Sequence, residues 1–194
     1  MGDKMEALGT VGGGAVAALT WESIPQTFES LEIQYAVQEN ATTWPGYVYL
    51  YLSYNNDITE ARWWSTGQKF DGSAWSAYSS SSATTSATIG YVPGTDLDTD
   101  QRAGGVIRIM NYSTAHRVAG EGLRNISAYS EDYWGTNVAA ASPQPQVQMS
   151  SHGHDTNTGT PAAGTSINRI DLFFSSGQNF TTSSRATLYG LPKA

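Results

Sequence analysis

Apolar and polar residues alternate at every second position along much of this chain. The clearest runs lie at residues 30–38, 46–54, 105–112 and 167–175, and weaker ones at 16–23, 60–65, 85–91, 116–121 and 145–151. A period of two is typical of a β-strand that buries one face. No window sustains the three- and four-residue spacing of an amphipathic helix over three turns. The pattern therefore predicts eight to ten strands.

The segments between these runs are rich in Gly, Pro, Asn and Ser. Such a sequence predicts an all-β protein, an antiparallel two-sheet sandwich that is jelly-roll-like. We expect a flexible, extended N-terminal arm over residues 1–15 and a single sandwich domain over 16–194. Two long polar stretches, 71–86 and 127–164, are predicted to be loops that contact partners, because long loops in compact domains are usually functional.

Two strand candidates make more specific predictions. In 46–54, Leu50 and Leu52 alternate with tyrosines, so both faces are apolar or aromatic. The tyrosine face (Tyr47, Tyr49 and Tyr51) is predicted to pack on the second sheet or on a neighbouring subunit. The C-terminal stretch 185–190 also alternates, and a terminal strand stays ordered when it is paired. We expect it to form a hairpin with 167–175, with Phe180 at the turn and Leu188 in the core.

Composition narrows the classes of partner. The net charge is −7 with a sequence pI of about 4.8, and the ten Lys and Arg residues are scattered. This balance argues against nucleic acid, since phosphate binding relies on clustered basic residues. The chain has no cysteine, which excludes disulfides and thiol catalysis. No apolar stretch approaches the roughly 20 residues of a membrane-spanning helix, and acids near Met1 argue against a signal peptide. We therefore expect synthesis in a cytoplasm.

Two short clusters resemble metal sites. Asp96, Asp98 and Asp100 have the alternate acids of a calcium loop but lack the glycine and distal glutamate of an EF-hand, which favours a solvated acidic turn. His152 and His154 fall on one face of an extended segment, as in half of a zinc site. A polar loop is the simpler interpretation of the second cluster, because His116 is the only other histidine.

Catalytic patterns are weak. Glu131 and Asp132 stand beside Tyr133 and Trp134, an association of acids and aromatic rings that also occurs in glycosidase clefts. Hydrolysis needs two carboxylates across one groove, whereas adjacent strand residues point to opposite faces. The nucleophile elbow, the P-loop and the dinucleotide fingerprint are all missing from the sequence. We therefore predict a protein that is not an enzyme and needs no cofactor.

The aromatic residues suggest a binding surface. Trp63, Trp64, Trp75 and Tyr78 are predicted to form either core and subunit contacts or a platform on which sugars stack. One of the two adjacent tryptophans should face the core, since neighbouring strand residues lie on opposite faces. Further interface candidates are Tyr133, Trp134, Leu8 and Val11.

The chain as a whole resembles a family of phage virion proteins that end in a Leu-Tyr-Gly-Ile/Leu strand. The matching stretches, in order, are ALTWESIPQTFESLEIQYAV, VYLYLSYNND followed by ARWW, GGVIRIMNYSTAHRV and TSINRIDLFFSSGQNFTTSSRATLYGL. The family's Phe-Asn-Gly-Asp-like turn is replaced here by Tyr54-Asn55-Asn56-Asp57. Ser183 stands where the family has glycine before the final serine of its last turn.

The resemblance implies a structural role on a virion and brings no catalytic residues. Members of the family occur among capsid decoration proteins and among head or tail fibres. We expect a capsid decoration (cement) protein that binds the major capsid protein and copies of itself, as a homotrimer on the capsid surface. The alternative is a fibre domain that recognises a receptor or host glycan. Neither nucleic acid nor a membrane is an expected partner.

Overall fold

The computed structural model describes residues 5–40, 47–55, 63–70, 74–79, 85–93, 102–110, 112–113, 124–130, 149–155 and 166–192. These residues contain no helix. A helix long and apolar enough to span a membrane is therefore also absent from them. They form twelve β-strands: β1 (Glu6–Gly12), β2 (Ala18–Trp21), β3 (Ser30–Val37), β4 (Tyr47–Tyr54), β5 (Trp63–Phe70), β6 (Trp75–Ser79), β7 (Ala87–Pro93), β8 (Ala103–Met110), β9 (Arg124–Ser130), β10 (Met149–Asp155), β11 (Ile170–Phe174) and β12 (Arg185–Leu191).

The strands make two antiparallel sheets. The larger sheet has eight strands in the order β1-β12-β3-β8-β9-β10-β5-β6, and the smaller has four in the order β2-β11-β4-β7. Consecutive strands β2, β3 and β4 alternate between the sheets, so the chain repeatedly crosses from one layer to the other. The predicted all-β, antiparallel two-sheet sandwich is confirmed.

One core lies between the sheets. Its members include Ile33 and Ile107 from the larger sheet and Leu50 and Leu172 from the smaller sheet, all fully buried. Burying such a side chain contributes about 1.5–3 kcal/mol. The alternating pattern thus stabilises the fold by giving each sheet one apolar face.

Most predicted strands coincide with observed ones. The four clearest runs correspond to β3, β4, β8 and β11, and four of the weaker runs correspond to β2, β5, β7 and β10. The candidate at 116–121 lies outside the described residues. Three strands lack a prediction, β1, β6 and β9, and β6 and the end of β9 fall in segments predicted as loops. Small and polar residues in these strands, as in the sequence of β6, WSAYS, hide the alternation.

The N-terminal segment differs from the predicted arm. Residues 6–12 form edge strand β1, which pairs with β12, and the hydroxyls of Thr10 and Thr187 are 2.9 Å apart. Leu8 and Val11, predicted as interface residues, pack against the protein's own core. The prediction rested on the entropy lost in ordering glycines, but sheet pairing and the burial of two apolar side chains offset that loss.

The predicted C-terminal hairpin is wrong. β12 pairs with β1 and β3 in the larger sheet, whereas β11 belongs to the smaller sheet. Between them, Phe180 is fully buried, and its ring centroid lies 4.1 Å from that of Phe174. The segment therefore crosses from one layer to the other. The predicted position of Leu188 in the core and the alternation of β12 are both confirmed.

Candidate functional site

The Ile24-Pro25-Gln26-Thr27 stretch forms a corner of the fold. The Gln26 side-chain amide donates from Nε2 to the carbonyl oxygens of Ile24, at 2.7 Å, and Ile167, at 2.9 Å. Ile24 is buried in the core. One glutamine thereby ties the segment before β3 to the segment that leads into β11.

Tyr112 holds the same corner from the other side. Its fully buried hydroxyl donates to the carbonyl oxygen of Pro25 and accepts a hydrogen bond from the backbone N–H of Phe28, 3.2 Å away. Burial raises the pKa of this phenol above its ordinary value, although the hydrogen bond from Phe28 acts in the opposite direction. The tyrosine of the Asn-Tyr motif is thus a structural cross-link.

Asn55 fastens the end of β4 to residues 166–169. It adopts a left-handed backbone conformation, with a φ of 49°. Its Nδ2 donates to the carbonyl oxygen of Ser166 at 3.1 Å, while its Oδ1 accepts from the backbone N–H groups of Asn168 and Arg169 at 3.0 and 3.1 Å. Asparagine suits this position because its short amide tolerates positive φ and binds nearby backbone.

The Leu-Tyr-Gly ending has a packing role. A Cβ at Gly190 would lie 2.5 Å from ring atoms of Phe28, so any larger residue would collide with that ring. Upstream, the buried hydroxyl of Ser184 accepts from the N–H of Gln38 at 3.0 Å and lies 3.2 Å from its carbonyl oxygen. Gln26, Tyr112, Asn55 and Gly190 therefore maintain the fold through contacts between distant parts of the chain.

The residues of the predicted tryptophan platform lie on two paired strands of the larger sheet. β5 and β6 pair with Phe70 opposite Trp75 and Gly67 opposite Tyr78. The assignment of Trp63, Trp64, Trp75 and Tyr78 to the core, to an interface or to a sugar platform stays a prediction. Tyr133 and Trp134 lie outside the described residues.

The histidine pair lies on a strand of the larger sheet. His152 and His154 are alternate residues of β10, whose backbone is in register with Thr66 and Trp64 of β5. The simpler interpretation from the sequence, a polar loop, is therefore wrong, and a half-site for zinc stays a prediction. No group of three or more His, Asp or Glu residues that could hold a metal ion occurs in the described ranges. The clusters at 96–100 and 131–132 lie outside those ranges.

An exposed aromatic surface lies on the smaller sheet. We call Tyr49, Tyr51 and Phe173, all half-buried, the aromatic row. The rings of Tyr49 and Tyr51 are parallel within 5° with centroids 6.2 Å apart, and Phe173 meets Tyr51 edge-on at 5.8 Å. The intervening Leu50 is fully buried, so the row faces away from the larger sheet. This excludes packing of Tyr49 and Tyr51 on the second sheet, and contact with another molecule stays a prediction.

A charged cluster adjoins the aromatic row where β11 begins and β2 ends. Arg169 donates from Nη2 to Oδ1 of the buried Asp171 at 2.9 Å, and from Nη1 to Oε1 of Glu22 at 2.8 Å. Thr20 adds a hydroxyl donor to Asp171 at 2.7 Å. The hydrogen bond with Asp171 is the main cause that raises the pKa of Arg169. Both carboxylates are paired with the guanidinium, an arrangement that suits binding better than proton transfer.

Sequence reasoning missed the part that β11 plays in this surface. The run 167–175 places Arg169, Asp171 and Phe173 on one face, opposite Ile170 and Leu172. The signal was present, but only the pairing of Tyr51 with Phe173 across β4 and β11 brings the rings together. That pairing is a tertiary feature which no single segment encodes.

Comparisons of this chain with protein-family models, with curated proteins and with solved structures found no match. The geometry of the chain itself therefore carries any functional argument.

Proposed function

We propose that this protein is a virion structural protein, a capsid decoration (cement) protein that binds between major capsid subunits and stabilises the shell. The observation that carries the proposal is the role of the motifs shared with phage virion proteins. Gln26, Asn55, Tyr112 and Gly190 all hold the sandwich together. The structural role is what the resemblance implies, and these contacts support the sandwich fold that comes with it.

The order of the strands supports the same proposal. Eight strands fall into two sets, β1-β12-β3-β8 and β2-β11-β4-β7, and the chain alternates between the sets from β1 to β4 and ends with β11 and β12. We infer from this order a jelly roll in which β5-β6 and β9-β10 are inserted pairs that extend the larger sheet. Jelly rolls occur in viral capsid and lectin domains. Fold by itself does not determine function, so the site must be tested.

The proposed mechanism is a clamp across the shell lattice. A protein that binds only assembled capsid subunits stabilises the assembled state by mass action, by about 2.7 kcal/mol per site at a free concentration 100 times its dissociation constant. We propose contacts through residues 71–86 and 127–164 and through copies of the same chain in a trimer. A chain with 14% charged residues and 11 tyrosines suits an uncharged polar interface with aromatic anchors.

The test is binding of the purified protein to mature shells that lack it. We expect saturable co-sedimentation, density at symmetry-related positions by cryo-imaging, and shells that rupture at a higher temperature. Protein that has been heat-unfolded serves as the control for nonspecific adsorption. Absence of saturable binding would overturn the capsid proposal.

A second candidate function, recognition of a host glycan, is favoured by the aromatic row. Parallel, half-exposed tyrosine rings beside hydrogen-bonding charged groups are features that a sugar ring can stack on and bind. Under this proposal, Tyr51→Ala would abolish adsorption to host cells or glycan arrays. Tyr189→Ala is the matched control, because Tyr189 is a half-buried tyrosine on the other sheet. Equal adsorption by wild type and both variants would exclude the row as a glycan site.

A further inference from the structure

The four edge strands of the two sheets differ in how they are protected against pairing with another chain. An unprotected edge presents unpaired backbone N–H and C=O groups and invites strand addition. β1 contains a bulge between Ala7 and Gly9, and the indole of Trp21 donates to the Gly9 carbonyl oxygen at 3.0 Å. β2 has four residues. β7 contains an irregularity opposite Leu50 and Tyr51 and ends in Pro93.

β6 has none of these devices. Its five residues, Trp75–Ser79, pair in unbroken register with β5 and include no proline and no charged residue. It is the last strand of the larger sheet, and among the described residues no strand pairs with its outer edge. Ala77, at the middle of β6, is exposed.

We infer that β6 pairs with β6 of a second copy of this chain, antiparallel, about a two-fold axis through Ala77. This register pairs all five residues and continues the larger sheet across the contact. A two-fold axis normal to the sheet keeps each face on its own side, since residues of equal parity lie opposite one another. The occupant is a copy of the same chain because β6 suits self-pairing in both size and charge.

Size complementarity follows from the sequence of β6. In the proposed register Trp75 lies opposite the partner's Ser79, and Tyr78 lies opposite the partner's Ser76, so each large residue meets a small one. Ala77 lies opposite itself, so two small side chains meet at the two-fold axis. Since β6 carries no charge, self-pairing places no like charges opposite each other, which would be destabilising. Because the protein has a net charge of −7, two copies repel each other least where an uncharged segment such as β6 forms the contact.

The contact is small. A five-residue strand buries less area than a stable dimer requires, so we expect weak, concentration-dependent pairing in solution. Copies held side by side on a surface would pair more completely, because their effective concentration is high. The inference does not depend on the capsid proposal, and it adds a two-fold contact to the trimer proposed above.

Single-cysteine variants test the register, because the chain has no native cysteine. In Ala77→Cys the two cysteines would lie directly opposite, with Cα atoms about 4.5–5.5 Å apart, within disulfide range. Ala74→Cys is the matched control, since Ala74 is also exposed. The two copies of residue 74 would be six residues apart along the paired strands, about 20 Å, too far for a disulfide.

Each outcome decides the question. With oxidised glutathione at high protein concentration, we expect a disulfide-linked dimer from Ala77→Cys, at least tenfold more than from Ala74→Cys. In Ala77→Lys two like charges would meet on the axis, and sedimentation should show weaker self-association with an unchanged melting temperature. Equal cross-linking by both cysteine variants, or none by either, would overturn the inference. Shell binding is scored separately, so the capsid proposal can stand when this one fails.

Discussion

Single residues hold this sandwich together at the places where the chain changes sheets. Asn55, Gln26 and Tyr112 each bond to backbone that is distant in sequence, and all three act near the entrance to β11. Hydrogen bonds of this kind contribute about 1 kcal/mol each, and an orphaned buried partner costs more. These residues therefore determine the register of loops that hydrophobic patterning leaves undefined.

Replacing Asn55 by alanine and by glycine separates the loss of its hydrogen bonds from the backbone strain at positive φ. We expect Asn55→Ala to lower the free energy of unfolding by about 2–4 kcal/mol, from lost hydrogen bonds and from the strain of alanine at positive φ. Asn55→Gly loses the same bonds without that strain and should be about 1 kcal/mol less destabilising. Urea denaturation measures both. Equal stability of wild type and Asn55→Ala would contradict the proposed fastening of β4.

The buried hydroxyl of Tyr112 leads us to expect that the free energy of unfolding depends on pH. Because burial raises the pKa of Tyr112 in the folded state, its contribution is fully present below the ordinary phenol pKa of about 10. The contribution is lost as the pH rises through the higher folded value. Denaturation of wild type between about pH 8 and 11 should therefore show a stability decline that is smaller in Tyr112→Phe. Parallel profiles would show that the hydroxyl does not titrate with folding.

Individual strands contribute unequally according to their place in the sheet. β12 lies between β1 and β3, so it is paired on both edges and also places Leu188 in the core. β1 is paired on one edge, and its apolar residues Leu8 and Val11 are partly buried. Both ends of the chain belong to the larger sheet, but the fold depends more on β12 than on β1.

Truncating each end measures this difference. Deleting residues 185–194 removes β12, and we expect no soluble, cooperatively melting protein. Deleting residues 2–14 removes β1 but leaves β12 paired with β3, so a folded protein with a lower melting temperature is expected. This revises the expectation from sequence that residues 1–15 form a flexible, extended arm outside the sandwich. Truncation after Leu191 retains β12 and is the control, and cooperative melting of the 185–194 deletion would refute the role of β12.

The whole molecule combines an antiparallel two-sheet sandwich with a chain that contains few charged residues. Both candidate functions use the surface of the molecule, in one case against a shell and in the other against a glycan. The ion pair between Arg108 Nε and Glu32 Oε2, 3.0 Å apart, joins two neighbouring strands of the larger sheet and lies within one molecule.

The low content of charged residues predicts that attachment to shells depends only weakly on salt concentration. Attachment to shells should change by less than about tenfold between roughly 0.1 and 1 M NaCl, because interfaces with few charges gain little from Coulomb attraction. Co-sedimentation across a salt series measures it. Loss of binding by several orders of magnitude would show that charge drives attachment and that the contact surface lies elsewhere than proposed.

By itself, the sequence determined the fold class and nine of the twelve strands, because burial of one sheet face imposes a period of two on the residues that form it. The core position of Leu188 followed from the same rule. Tertiary structure decided which strands pair, and it moved β12 away from β11 and made residues 6–12 an edge strand. It also brought Phe173 beside Tyr51. Pairing across the sheet depends on the sum of long-range contacts, and local alternation is the same whichever neighbour a strand finally takes.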